Sequence, residues 1–276
     1  MKEKDYKLIA LDMDGTLLTS NKLILPETIE DINAAVKVGK DVVFSTGRGL
    51  VEMKSFFEQI PQINYAIVFS GAVVYNITEK EIIYCDSIPQ QVALEIIKIA
   101  DAFQAMAHLL TLNESIVDKR QVQQMAEYNM KIYQSSFLKI TTQVDSLAEA
   151  CINYPSFPKV NIYFRRREDR MAAYEQLKLY PITFAFAEEA SLEMSPLNTT
   201  KGTALLHLAS HLGIDVSETI AVGDADNDRD ILLKAGLAVA MENANKDIKE
   251  MADEIVTDND HNGTGEAIKK FLLQLQ

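Results

Sequence analysis

Hydrophobic positions along this chain fall in short, nearly unbroken runs rather than in alternating stretches. Tyr6–Leu11 is one such run, ending at Asp12, and Val42–Phe44, Tyr65–Phe69, Thr219–Val222, Leu237–Met241 and Glu254–Thr257 are others. Runs of this length are what strands buried on both faces carry. Between them lie helical segments. Pro26, at a helix N1 position, opens ETIEDINAAVKV, with Gly39 at C′. Leu50–Gln59, Thr203–Leu212, the stretch after Asp226, Ala244–Met251 and a last segment from Gly265 also read as helices, and Val73–Tyr84 as a hairpin turning near Thr78–Lys80. Strands alternating with helices predict right-handed βαβ units, hence an α/β fold with a doubly wound, Rossmann-like parallel sheet.

The middle of the chain departs from this pattern. Residues 72–201 contain none of the 11 glycines, whereas both flanks are punctuated by them. Helical segments at Gln90–Phe103 and Arg167–Leu179 mix with strand-like runs at Phe137–Thr141, Lys159–Phe164 and Ile182–Ala187. This predicts an inserted α+β domain at 85–190 within a core made of 1–84 and 191–276. A length of 276 residues accommodates two such domains.

Composition narrows the function. A net charge of −13 argues against extended contact with nucleic acid or an anionic membrane, while leaving room for a small phosphorylated ligand. Two cysteines, Cys85 and Cys151, make no disulfide framework, and no leader-like or membrane-spanning apolar run is present, so a cytoplasmic location is expected. Oligomeric state is not legible.

Three strand ends carry the candidate chemistry. Asp12-Met13-Asp14-Gly15-Thr16 sets two carboxylates two residues apart where Gly15 lets the chain turn. One carboxylate can attack phosphorus while the other protonates the leaving oxygen and then deprotonates water. A bare carboxylate repels a phosphate dianion, so this chemistry calls for Mg²⁺ and a lysine. The plain alternative is a turn with solvated aspartates. Gly223-Asp224-Ala225-Asp226-Asn227-Asp228 supplies further carboxylates at another strand end. It is no EF-hand, because Arg229 stands where glycine is needed and Ala235 where glutamate is needed. Ser45-Thr46-Gly47-Arg48 offers a hydroxyl, a flexible backbone and a guanidinium to phosphate oxygens, and Lys201-Gly202-Thr203 opens a helix with a lysine.

These four segments, in this order, resemble the haloacid dehalogenase-like phosphatases, specifically their Cof-type branch (subfamily IIB), with a cap domain inserted between the second and third motifs. The resemblance covers nearly the whole chain. It implies that Asp12 is the nucleophile and a Mg²⁺ ligand, that Asp14 is the general acid/base and binds the metal through its carbonyl, and that Asp224 is the other metal ligand. It further implies that the Met13 N–H, Thr46, Gly47, Lys201 and Asn227 contact phosphate, that Arg48 reaches the substrate, and that Asp228 orients Lys201 or a metal-bound water. The expected substrate is a small phosphorylated metabolite, with the cap choosing it.

Two positions depart from the family pattern: Ser70 where Asn often precedes Gly-Ala, and Glu242 where a small residue precedes Asn243-Ala244. A phosphotransferase or phosphomutase would share all four motifs, and a receiver-like signalling protein would keep an aspartyl phosphate. His207 and His211, four residues apart on a helix, read as ordinary helix residues rather than metal ligands. Arg165-Arg166-Arg167 reads as a solvated basic loop balanced by Glu168 and Asp169, with binding of a second anionic group as its alternative.

Overall fold

The computed structural model describes residues 4–186 and 190–275, and within them the strand–helix alternation is present. The chain begins with β1 (Leu8–Asp12), α1 (Pro26–Lys37), β2 (Asp41–Ser45), α2 (Leu50–Gln59) and β3 (Tyr65–Val68), then the hairpin β4 (Val73–Asn76) and β5 (Glu81–Cys85). The middle contributes β6 (Ile88–Pro89), α3 (Gln90–Ala102), β7 (Met106–Leu110), β8 (Ser115–Asp118), α4 (Lys119–Val122), α5 (Gln134–Ile140), β9 (Thr142–Val144), α6 (Leu147–Cys151), β10 (Ser156–Phe157), β11 (Lys159–Tyr163), α7 (Arg167–Leu177), β12 (Ile182–Ala185) and β13 (Ser191–Pro196). The last part supplies α8 (Lys201–Leu212), β14 (Thr219–Gly223), α9 (Arg229–Lys234), β15 (Leu237–Met241), α10 (Lys246–Met251), β16 (Glu254–Val256) and α11 (Gly263–Ala267). Two compact units result. One takes Met1–Gly47, Ser55–Cys85 and Thr200–Gln276, and the other Arg48–Lys54 and Asp86–Thr199.

The first unit is an α/β layer structure around a sheet of order β16-β15-β14-β1-β2-β3-β4-β5, parallel from β16 to β3 and closed by the antiparallel hairpin. Every residue of β1 and β14 is buried, as the continuous apolar runs require. Leu8, Ala10, Val43, Ile67 and Ala221 turn one way, to Leu205 and Leu208 of α8, Ile231 and Leu232 of α9 and Ile248 of α10. On the opposite face Phe44 meets Phe57 of α2 at 5.9 Å between ring centroids, and α1 packs against β2 and α11. Strand order reverses between β1 and β14, and that switch point is where an open α/β sheet leaves a crevice at its carboxyl ends. Asp12 and Asp224 come from those two ends.

The second unit is a six-stranded sheet of order β12-β13-β11-β7-β8-β9, antiparallel except for β8 with β9, plus the two-stranded β6–β10. One face is apolar. Val160, Ile162, Leu109, Ile116, Leu192 and Met194 pack under Ile96 of α3, Leu147 of α6 and Leu177 of α7. The opposite face is mixed: His108 and Asn161 lie side by side across β7 and β11, and Nε2 of His108 is 2.6 Å from the Ser115 hydroxyl.

Several expectations shift here. Of Phe137–Thr141, read as a strand, Phe137–Ile140 belong to α5 and Thr141 follows its end. Only Phe137 is buried along that helix, and the Thr141 hydroxyl donates to the Phe137 carbonyl to close its last turn. Five residues that are apolar at Phe137, Leu138 and Ile140 do not distinguish period 2 from period 3.6. Ser191–Pro196, assigned to the core by sequence, pairs with β11 and β12 in the second sheet. Strand β12 ends at Ala185, and Ala187, the end of the expected run, lies outside the described residues.

Candidate active site

Asp12 ends β1, and the chain leaves it through Gly15, whose φ is +90°. A Cβ at Gly15 would also lie 2.4 Å from Oδ2 of Asp224, so backbone conformation and close approach both demand glycine. The turn brings Thr16 to Asp224, with its hydroxyl donating to Oδ1 at 2.8 Å. On the other strand end, Oδ2 of Asp228 accepts the backbone N–H of Asp224 at 3.1 Å and of Ala225 at 3.3 Å, which folds the GDADND loop back on itself.

Lys201 joins the two ends. It is 2 % exposed at the first position of α8, and its Nζ donates to Oδ1 of Asp12 and, at 2.6 Å, to Oδ1 of Asp228. Burial disfavours the ammonium, but Asp12 and Asp228 more than offset it, so Lys201 is held protonated with its pKa above the usual lysine range. Burial pushes the Asp12 carboxyl well up, and Asp228 adds to this while Lys201 opposes it. Asp224 is pushed up to about 6, by burial and then by Asp228, with the Thr16 hydroxyl opposing.

Asp12, Asp224 and Asp228 present carboxylate oxygens within 4.8 Å of one another. Three carboxylates against one ammonium leave an excess of buried negative charge, and hard oxygen donors of this kind suit a divalent cation such as Mg²⁺. Asp228 is already engaged by Lys201 and two backbone N–H groups. Asp12 shares the Lys201 ammonium with it, and Asp224 accepts the Thr16 hydroxyl. Among the described residues no other group of three potential ligands was found, and His207 instead stacks on Tyr84 at 4.0 Å between ring centroids.

The remaining expected residues are placed as follows. Asp14 is half-buried and forms a 2.8 Å ion pair with Lys22. The Met13 side chain is buried and its carbonyl accepts the Leu18 N–H at 2.8 Å, which bends the segment after β1 into a tight loop. Thr46 is buried, with its N–H on the Ile67 carbonyl and its own carbonyl on the Ser70 N–H. Gly47 follows it in the first unit. Asn227 is half-buried in the one-turn segment Asp226–Asp228. Arg48 is grouped with the second unit, near Glu52, whose carboxyl burial pushes up against the opposing Gly49 N–H and Arg48 guanidinium. In the basic run Arg165–Arg167, Arg166 pairs with Asp169 at 2.7 Å as the simpler reading expects, whereas Arg165 pairs with Glu127 at 2.9 Å. Glu242 is exposed and paired with Lys249 at 3.3 Å.

Sequence reasoning missed three contributors. Lys22 is eight residues beyond Asp14, and the bridge between Asp14 and Leu18 together with the turn at Thr19–Leu23 returns it to the site. Phe69, Ser70 and Gly71 all have positive φ, a strained turn of the kind that collects at functional sites. Gly71 packs so closely on α8 that a Cβ there would lie 2.1 Å from the Thr200 carbonyl oxygen. Thr200 itself caps α8 in a reciprocal bond with Thr203, a signature present in the sequence as Thr200-Lys201-Gly202-Thr203.

Residues 9–268 match the family of haloacid dehalogenase-like hydrolases. Among similar proteins, the phosphatase YwpJ of Bacillus subtilis is 29% identical over 96% of this chain and 100% of its own length. The 5-amino-6-(5-phospho-D-ribitylamino)uracil phosphatase YcsE of the same organism is 27% identical over 99% of this chain and 98% of its own. A solved haloacid dehalogenase-like hydrolase from B. subtilis superposes with a TM-score of 0.84 at 27% identity, covering 95% of this chain and 99% of that one. With carboxylates and a lysine gathered at the switch point of a doubly wound sheet, and a separate mixed-sheet unit inserted in it, the chain belongs to the haloacid dehalogenase-like hydrolases.

Proposed function

We propose that this protein is a Mg²⁺-dependent phosphomonoester hydrolase that acts on small phosphorylated metabolites through a phosphorylated Asp12. The observation that carries the reading is the Lys201 ammonium shared between Asp12 and Asp228, with Asp224 beside them and Asp14 two residues further on. In the first step an Asp12 carboxylate oxygen attacks phosphorus, and the bond from phosphorus to the leaving oxygen breaks. Asp14 delivers the proton that this oxygen needs. In the second step Asp14 takes a proton from water, the water oxygen bonds to phosphorus, and the Asp12–phosphorus bond breaks to release inorganic phosphate.

Lys201 keeps its charge throughout and offsets the negative charge on the transferring group. Thr46, Gly47, the Met13 N–H and Asn227 orient the phosphoryl oxygens, and Arg48 contacts the substrate. Asp228 holds Lys201 in place. The Asp12 and Asp224 carboxylates and the Asp14 carbonyl would hold Mg²⁺, which would supply neutralisation of the negative charge there. The inserted unit, expected at 85–190, is the part of the chain that chooses the leaving group. YcsE, named for a phosphorylated ribitylamino-uracil, supports substrates of metabolite size.

The test is phosphate release from a panel of phosphorylated metabolites and from p-nitrophenyl phosphate, with Mg²⁺, with EDTA, and with an added acceptor alcohol. Hydrolysis that needs Mg²⁺ and is unchanged by the alcohol supports the reading. Transfer to the alcohol in preference to water makes the protein a phosphotransferase, and release unaffected by EDTA removes the metal from the account.

A further inference from the structure

Asp230 stands two residues beyond Asp228, at the second position of α9, and no step of the proposed reaction uses it. Its carboxylate accepts the Thr200 hydroxyl and forms a 2.8 Å ion pair with Lys234. Thr200 immediately precedes Lys201. Its hydroxyl also accepts the Thr203 N–H at 3.1 Å, and its own N–H donates to the Thr203 hydroxyl at 2.9 Å. Next to it, a Cβ on Gly202 would lie 2.4 Å from Oδ2 of Asp230 and 2.6 Å from the Asp230 carbonyl oxygen. Glycine at 202 is what allows Asp230 to rest against the first turn of α8.

That turn is therefore held three ways: by the backbone of Gly71 against the Thr200 carbonyl, by the reciprocal Thr200–Thr203 bonds, and by Asp230. The carboxylate also sits where a helix N-terminus favours negative charge. The demand on this turn is strict, because the Lys201 ammonium has to meet carboxylates from two strand ends at once.

We propose that Asp230 is a positioning residue for Lys201: by accepting the Thr200 hydroxyl it fixes the first turn of α8, and with it the place of the ammonium between Asp12 and Asp228. The proposal rests on the phosphoryl-transfer reading of the same site. The ion pair with Lys234 is incidental to this role, since the link to Lys201 runs through the hydroxyl.

Steady-state kinetics with p-nitrophenyl phosphate test it. Asp230→Ala lowers kcat by about 10- to 100-fold, the cost of a displacement near 1 Å, with KM unchanged within about twofold. Asp230→Asn keeps an acceptor for the hydroxyl and restores most of kcat, and Lys234→Met leaves kcat unchanged. Equal kcat in wild type and Asp230→Ala overturns the proposal while leaving the phosphatase reading intact, and so does Asp230→Asn as impaired as Asp230→Ala. If Asp230→Ala does not fold, Thr200→Ser against Thr200→Ala carries the comparison: serine near wild type and alanine depressed is the expected pair, and equal values overturn it. A wild-type protein inert toward every phosphate ester removes both the reading and the proposal.

Discussion

Replacing Lys201 by methionine keeps the side-chain volume close while deleting the one ammonium between Asp12 and Asp228. The three side chains are 1%, 7% and 1% exposed, so water cannot take the lysine's place. Breaking a buried ion pair by removing one partner costs about 3–5 kcal/mol, because the other charge is left uncompensated. Here two carboxylates lose their partner at once, while the N–H groups of Asp224 and Ala225 remain on Asp228. A loss of about 4 kcal/mol is a large part of a total of about 5–15 kcal/mol.

The loss depends on pH, with a sign that follows from the carboxylates. Folded Asp224 titrates at about 6 against an ordinary 3.8, so between these values the folded chain keeps a proton that the unfolded chain has released. Stability of the metal-free protein therefore falls as pH rises through that window, and the cost is complete above about 6, approaching 3 kcal/mol at about 1.4 kcal/mol per pH unit. Asp12 is already pushed up by burial, and without the opposing Lys201 charge it is pushed up further. The deficit of Lys201→Met is expected to be largest at pH 7.5 and to shrink toward pH 5, and added Mg²⁺ is expected to recover part of it. The chain has no tryptophan, so urea unfolding is followed by circular dichroism in EDTA. A variant as stable as wild type at pH 7.5, or an equal deficit at both pH values, refutes the electrostatic account of this site.

Gly71→Ala is expected to destabilise the first unit by more than the about 1–2 kcal/mol of a left-handed residue, because its Cβ meets the Thr200 carbonyl, and to lower kcat by moving Lys201. A change in melting temperature under 1 °C with unaltered kcat would contradict this. Thr16→Val removes the hydroxyl donor from Asp224 and is expected to weaken Mg²⁺ affinity about 10- to 100-fold, read from the Mg²⁺ dependence of the rate. An unchanged Mg²⁺ dependence would exclude a role for that bond. In the second unit burial, helped by Lys159, lowers His108 to about 3 from 6.5, so the unfolded chain binds a proton that the folded one refuses. Stability is lost as pH falls below about 6.5, by about 2 kcal/mol at pH 5, and His108→Phe is expected to flatten that slope in thermal melts at pH 5–7. An undiminished slope in the variant assigns the effect to other groups.

The core was legible because its strands are buried on both faces. LIALD, DVVFS and TIAVG read as strands without reference to any partner, and each ends on a residue of the site or immediately before one. The inserted sheet was less legible. MAHLL and SIVD carry His108 and Ser115 among apolar residues, and their polar positions make sense only once β7 and β8 pair and bring those two side chains together. SLEMSP was hidden in the same way, because Glu193 and Ser195 on the mixed face of the sheet interrupt its apolar positions. In the site, motif spacing identified the residues that bear the charge. It could not show what holds them: Lys22 on Asp14, Thr16 on Asp224, and Asp230 on the turn before Lys201 are all contacts set by tertiary structure.

The claim on which all else depends is that the Asp12 carboxylate becomes phosphorylated. Acid quench of the enzyme during turnover, followed by mass spectrometry of the peptide that contains residues 8–22, reads this directly. One phosphoryl group on Asp12 is expected, in greater amount in Asp14→Asn, where proton removal from water is impaired, and none in Asp12→Asn, which also releases no phosphate. Phosphate release by Asp12→Asn at the wild-type rate, or turnover with no phosphoryl group on Asp12 in either wild type or Asp14→Asn, contradicts the account.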